Sequence, residues 1–302
     1  MATTESVLKP DFGSSKRHFI FTDEHERLRE SIHAFVTKEL APHAEEWEET
    51  TFPDSVFRRM GELGFLGLSY PEEYGGQGGD YFCNLVLGEE LTYANSGGLA
   101  MGIAVHTDMA TPPVHLFGTE EQKQQYLVPS IKGEKISSLG ITEPDAGSDV
   151  AGIKTRAVRD GDEYVINGSK TYITNGCEGF CFQVYAKVEG RVTAFVVDRT
   201  CPGFTTSNHI DKLGMRGSNT SELVFEGCEV PAANLLGNRN IMDTPFNQTS
   251  YTAKTIQDQQ ARKLDDVLAK LIELLQNEQT RTWVAQSLSL VAFSKNFWRI
   301  LA

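Results

Sequence analysis

The chain has 302 residues, 40% hydrophobic and 23% charged, with a formal charge of -13 from 41 acidic and 28 basic side chains. That length can bury one large core or two adjoining ones, and the composition excludes a disordered chain. The negative field argues against nucleic acid and anionic membranes as general partners, although local amides and a few basic groups can still hold an anionic cofactor.

Residues 1–18 mix acidic, basic and hydroxyl side chains with no apolar run behind them. They are expected to be a flexible N-terminus and not a secretory signal, and no later run has the apolar length of a membrane span. The cytoplasm is the expected location, or the mitochondrial matrix if a targeting segment has been removed. The five cysteines, Cys83, Cys177, Cys181, Cys201 and Cys228, form no CxxC pair and lack the histidine spacing of a zinc site. Structural thiols in a reducing compartment, with no metal site, are therefore expected.

Residues 19–134 read as a helical domain. Thr22 or Asp23 can cap a helix with acidic residues in its first turn, and Leu28, Ile32, Phe35 and Val36 fall near one face. Pro42 marks a kink or boundary. Val56, Phe57, Met60 and Leu63 supply the apolar positions of the next helix, which ends near Gly64. The glycine-rich stretch 71–79 is a loop. Helical stretches follow around Leu85 to Tyr93 and Leu99 to His115, and Thr119 opens another. His106 and His115 flank the apolar stretch, where packing or hydrogen bonding is the expected role.

The pattern changes near Lys135. Short runs rich in Val, Ile, Phe and Tyr occur at 135–141, 154–159, 163–170, 180–187, 191–198 and 221–230. Asp160-Gly161 and Asn167-Gly168 have the chemistry of hairpin turns. Short neighbouring strands without long crossovers predict an antiparallel sheet or barrel over 135–237. Residues 238–250 read as a linker, 252–276 as a helix, and 282–301 as a second amphipathic or buried helix. The fold class is α+β: an N-terminal helical bundle, a middle antiparallel β domain and a shortened C-terminal helical region at 238–302.

Two polar segments carry the chemistry. Residues 141–149 read Ile-Thr-Glu-Pro-Asp-Ala-Gly-Ser-Asp, and residues 172–176 read Tyr-Ile-Thr-Asn-Gly. Taken locally, Thr142 satisfies a turn, Ser148 caps one and Tyr172 packs in a core. With Tyr70-Pro71-Glu72-Glu73-Tyr74-Gly75-Gly76, Leu116-Phe117-Gly118-Thr119-Glu120-Glu121-Gln122-Lys123 and Lys212-Leu213-Gly214-Met215-Arg216-Gly217-Ser218 in the same order along the chain, about residues 19–237 resemble the helical and β domains of the acyl-CoA dehydrogenases.

The resemblance implies FAD as cofactor. It places Leu139, Ile141 and Thr142 beside the flavin ring, Ser148 near the pyrophosphate, and Tyr172 and Thr174 at further ring contacts. Tyr172 stands where many relatives have tryptophan. A flavin needs an apolar platform and a few orienting hydrogen bonds, which these residue types can supply. Arg216 fits either a cofactor or acyl-CoA phosphate contact or a surface or interdomain salt bridge.

The implied reaction is α,β-dehydrogenation of an acyl-CoA thioester, with electrons passed to an electron-transfer flavoprotein. Relatives in the wider superfamily use oxygen instead, as oxidases or monooxygenases. The family's carboxylate base belongs to a longer C-terminal helical domain, and 238–302 does not match the segments that carry it. The catalytic residue is therefore unknown: Glu273 and Glu278 read as solvent-facing helix charges, and Glu143 belongs to the flavin loop. An alternative follows, a noncatalytic or partner-dependent subunit or truncated isoform lacking the base. The resemblance implies a homo-oligomer, and pairing with a complete homologous subunit would supply the missing helices.

Overall fold

A computed structural model describes residues 20–236. The expected flexible residues 1–18, the linker and helices expected over 238–302, and Glu273 and Glu278 with them, lie outside the described residues.

Helix α1 (Asp23–Phe35) begins at the expected cap. The Thr22 hydroxyl accepts from the His25 amide, and the His25 ring returns the bond to the Thr22 amide, closing a capping box. Ile32 and Phe35 from its inward face, with Val36 just beyond, enter the core at 5% exposure or less. Each fully buried side chain of this size contributes about 2 kcal/mol. The helical path continues through a π turn and a 3-10 turn containing Pro42 into α2 (Ala44–Glu49). Helix α3 (Ser55–Glu62) buries Val56, Phe57 and Met60, and Gly64 stops it in the left-handed region at φ 77°. Helices α4 (Tyr81–Leu91) and α5 (Gly97–Ala104) start at side-chain caps from Asp80 and Ser96. A π turn joins α5 to α6 (Thr111–Phe117), and two short helices follow, α7 (Glu120–Gln122) and α8 (Val128–Ile131).

Seven strands form one sheet: β1 (Ser137–Gly140), β2 (Arg156–Asp160), β3 (Glu163–Thr174), β4 (Cys181–Val188), β5 (Arg191–Asp198), β6 (Phe204–Thr206) and β7 (Thr220–Pro231). The order is β1-β4-β2-β3-β7-β6, with β5 on the other edge of β4. Most pairs are antiparallel, as expected. β1 and β2 instead run parallel to β4, along successive stretches of one edge. That pairing joins segments distant in sequence, beyond the reach of local turn signals.

β4 and β5 are buried on both faces. Tyr185, Val192, Ala194 and Val196 pack toward Val114, Tyr126 and Leu127 of the helical region. Phe182, Val184, Phe195 and Val197 face a second cluster with Ile166, Leu223 and Phe225. The sheet curls over this second cluster, so Phe195 of β5 meets Tyr164 of β3 edge to face, with ring centroids 5.0 Å apart.

Two expectations about β3 need correction. Asp160-Gly161 is a hairpin turn, with Gly161 at φ 58°, but Asn167-Gly168 is not one. It lies inside β3 at a register shift against β7, and Gly168 adopts φ 144°. A Cβ there would stand 2.6 Å from the Thr155 hydroxyl, so the glycine permits close packing within a continuous strand. The strand also runs past residue 170 to Thr174, taking Tyr172 and Thr174 with it. The three-residue β6 was not anticipated, being too short to carry a period.

Candidate functional site

The two polar segments meet where β1 ends and β3 bends. The Thr171 amide donates to the Thr142 carbonyl at 2.9 Å, and the Lys170 ammonium donates to the Ile141 carbonyl at 3.1 Å. Leu139, Ile141, Thr142, Tyr172 and Thr174 thus come from two adjacent backbone stretches. Leu139 and Ile141 are half-buried and pack against the cluster shared with the helices. Ser148 is exposed two residues beyond the Glu143–Ala146 turn, and no hydrogen bond among the described residues ties it to the other five.

Tyr172 marks a second departure from regular pairing in β3. Lys170 pairs with Leu223 and Ile173 with Ser221, so β3 holds one extra residue opposite β7. The bulge reverses the alternation: Tyr164, Ile166 and Lys170 point inward before it, and Thr171 and Ile173 after it. Tyr172 takes φ 58° and is 68% exposed, so the expectation of core packing is overturned. A left-handed backbone costs a non-glycine residue about 1–2 kcal/mol, and its side chain recovers little of that by burial.

A buried ion pair holds the ledge in place. Glu143 accepts from Lys170 Nζ at 2.7 Å and from the amides of Lys154 and Thr155 at 2.5 and 3.0 Å. The side chains are 0% (Lys170) and 5% (Glu143) exposed. Burial raises the Glu143 carboxyl, but the hydrogen bonds from Lys170, Thr155 and the backbone outweigh it and hold the group below its ordinary value. Burial lowers the Lys170 ammonium, against the attraction of Glu143. The carboxylate is fully occupied by partners that fix the loop. Sequence reasoning missed Lys170, although continuing the period of two from Tyr164 and Ile166 marks it as inward-facing.

The ledge is fixed to the helices at three points. Asn175, left-handed at φ 61° and buried, donates its amide to the Gly102 carbonyl of α5 at 2.8 Å. His106 accepts from the Ser137 amide at 3.0 Å, and its other ring nitrogen donates to the Ser130 carbonyl at 3.1 Å. Burial, only partly offset by that carbonyl, lowers His106 to about 4, so it is a neutral link between helix and β1. The Arg216 salt bridge is a local, exposed one to Asp211 at 2.9 Å, and the link to the helices is made by hydrogen bonds: the Arg216 amide donates to Glu48 Oε2 at 2.8 Å and its Nε to the Glu48 carbonyl. Glu48 also accepts from Ser96 and Gly98, so one carboxylate gathers α2, the start of α5 and the 212–218 loop.

What remains free on the ledge is chemically specific. The hydroxyls of Thr142 and Thr174 are committed to no other described residue, the Tyr172 side chain is exposed, and Leu139 and Ile141 give a partly open apolar base. An aromatic face, two hydroxyls and an aliphatic floor suit a planar heteroaromatic ligand with polar edges. Elsewhere, ligand-type atoms of His25, Asp80 and Cys83 lie within 4.8 Å of one another. Hydrogen bonds account for that cluster. The Thr22 amide donates to His25 Nδ1, so Nε2 carries the proton to Asp80, which also caps α4.

Two family models match: the acyl-CoA dehydrogenase N-terminal domain over residues 22–134 and the middle domain over 138–228. A probable acyl-CoA dehydrogenase from Bacillus subtilis is 44% identical over 243 residues, 78% of this chain and 63% of that protein. The crystal structure of an acyl-CoA dehydrogenase from Geobacillus kaustophilus superposes with a TM-score of 0.71 at 39% identity, over 74% of this chain and 60% of that one. An acyl-CoA dehydrogenase complexed with FAD from Bacillus anthracis gives 0.69 at 38% identity, over 72% of this chain and 38% of that one. The chain spans about 63% of the Bacillus subtilis relative. In sequence and in fold, the chain belongs to the acyl-CoA dehydrogenase family.

Proposed function

We propose that residues 19–134 and 135–237 are the helical and β domains of a flavin-dependent acyl-CoA dehydrogenase, and that the ledge between β1 and β3 holds FAD. Leu139 and Ile141 support the ring, Tyr172 contributes an aromatic contact, and the Thr142 and Thr174 hydroxyls bond its polar edge. Ser148 reaches the pyrophosphate. The observation that carries this reading is Tyr172, a bulky residue in a left-handed bulge with its side chain turned outward.

Bound FAD supplies the hydride acceptor for α,β-dehydrogenation of an acyl-CoA thioester, and an electron-transfer flavoprotein is the proposed electron acceptor. The chain's described residues orient and support. The Glu143–Lys170 pair fixes the loop that presents Thr142, while Asn175 and Asn219 fix the turn after Thr174. Proton abstraction needs an unpaired carboxylate beside the substrate α carbon, and Glu143 is committed to Lys170 and two amides. That commitment favours a second reading, in which the chain holds flavin but needs a homologous subunit to complete the site.

Among the described residues no helix is long and apolar enough to cross a membrane. The cytoplasm or the mitochondrial matrix is the proposed setting. The test is an absorbance spectrum of the purified chain reconstituted with FAD, before and after anaerobic addition of acyl-CoAs of several lengths. Flavin that binds and bleaches supports the dehydrogenase. Flavin that binds without bleaching, and bleaches once a complete homologous subunit is added, supports the second reading. Failure to bind flavin with or without that subunit contradicts both.

A further inference from the structure

Two cysteines outside the flavin ledge, Cys201 and Cys228, lie at the far edge of the sheet. The turn 201–204 is hydrogen-bonded to β7 on both sides of Cys228: the Glu226 amide donates to the Gly203 carbonyl at 2.9 Å, and the Glu229 amide donates to the Pro202 carbonyl at 3.1 Å. The Phe204 amide closes this turn on the Cys201 carbonyl at 3.2 Å, and Cys201 packs against the buried cluster that contains Cys228. Gly203 and Gly227 both have positive φ, and a Cβ at Gly203 would meet the Glu226 carbonyl at 2.5 Å. Two glycine bends therefore bring the backbones into close contact beside the thiols. The two thiols are close enough to perturb each other.

We propose that Cys201 and Cys228 form a reversible disulfide, with half-buried Cys201 as the thiol that meets the oxidant and buried Cys228 as the one that resolves it. Of the five thiols only Cys201 is shifted downward. The hydrogen bond from Cys228 lowers it, against burial and the nearby acids Asp198 and Glu163. Cys228 is raised by that same hydrogen bond and by burial, and Cys83, Cys177 and Cys181 are raised by burial. The oxidant is a low-molecular-weight disulfide such as oxidised glutathione. The Cys201 thiolate attacks one of its sulfurs and expels one glutathione thiolate, leaving a mixed disulfide. Cys228 then gives up its proton and attacks the Cys201 sulfur, expelling the second glutathione. Two protein thiols are oxidised and one glutathione disulfide is reduced to two thiols.

The bridge would pin the turn after β5 onto β7. From that turn Arg199 donates to the carbonyls of Gly176, Cys177 and Gly179, in the segment that follows Thr174. A staple at Cys201 thus reinforces the end of the sheet that carries the ledge.

The experiment treats the full chain with oxidised glutathione and reads intact mass, followed by peptide mapping after alkylation of free thiols. The expected result is loss of two hydrogens, a Cys201–Cys228 crosslink and reversal by dithiothreitol. Cys228→Ser should stop at a glutathione adduct on Cys201, and Cys201→Ser should show neither adduct nor crosslink at Cys228. Circular dichroism confirms that each variant is folded. An unchanged mass in the folded wild type, or a crosslink between other cysteines, overturns the proposal.

Discussion

Strand β3 leaves regular pairing with β7 twice, near Gly168 and near Tyr172, and the two sites solve different problems. At Gly168 the neighbouring Thr155 stands so close that any Cβ would collide with it, and the residue is the one that tolerates φ 144°. At Tyr172 a bulky residue occupies the left-handed region at φ 58° and leaves its ring in the open. The first bulge serves packing. The second costs stability without burying the side chain that incurs the cost, the pattern expected where backbone shape is kept for a ligand. Between them, at Lys170, a buried ion pair locks the strand to the loop it presents.

That contrast can be broken first at the ion pair. Lys170→Met leaves the Glu143 carboxylate buried with amide partners alone, and is expected to cost about 3–5 kcal/mol. The change should appear as a large drop in the denaturant midpoint, with FAD binding lost alongside. The pair also sets an acid limit. Glu143 is lowered in the folded state, so its contribution is fully present above about 4.5 and is lost as pH falls through its lower folded value. The wild-type midpoint should therefore fall more steeply below that pH than the midpoint of Glu143→Gln, and equal slopes would remove Glu143 from the account.

Gly168→Ala comes next. The strained φ and the approach to Thr155 predict about 2 kcal/mol of destabilisation, read from the thermal midpoint. Tyr172→Gly should behave in the opposite sense. Relief of about 1–2 kcal/mol of backbone strain offsets or exceeds the roughly 0.5–1 kcal/mol of added unfolded-chain entropy, leaving stability unchanged or up to about 1.5 kcal/mol higher. The smallest effect belongs to the exposed pair beside the same loop, Lys154 with Asp145, whose side chains are 72% and 66% exposed. Lys154→Ala should move the midpoint by less than about 0.5 kcal/mol, because the backbone amide of residue 154, which holds Glu143, is retained.

The legible parts of the fold were those written in local patterns. Thr22 caps α1 and Ile32, Phe35 and Val36 turn inward, because cap chemistry and helical periodicity act within a few residues. At the ledge, the order of the polar segments marked Leu139, Ile141, Thr142, Tyr172 and Thr174, and the fold brings their backbones side by side. What escaped was non-local. Glu143 and Lys170 are 27 residues apart, and Arg216 reaches back 168 residues to Glu48. The parallel pairing of β1 with β4 has no turn to announce it. Asn167-Gly168 misled because its dipeptide has hairpin chemistry, while the determining contact, Thr155, lies on another segment.

Whether the strained Tyr172 bulge serves flavin binding is decided by titrating FAD into the wild-type chain and Tyr172→Gly, following flavin absorbance and fluorescence with melting midpoints in parallel. The wild type is expected to bind FAD, and the variant to melt no lower yet bind about tenfold more weakly, a difference of about 1.4 kcal/mol. Equal affinity in the two proteins, or a variant that loses stability while keeping its flavin, would assign Tyr172 to folding and contradict a role in flavin binding.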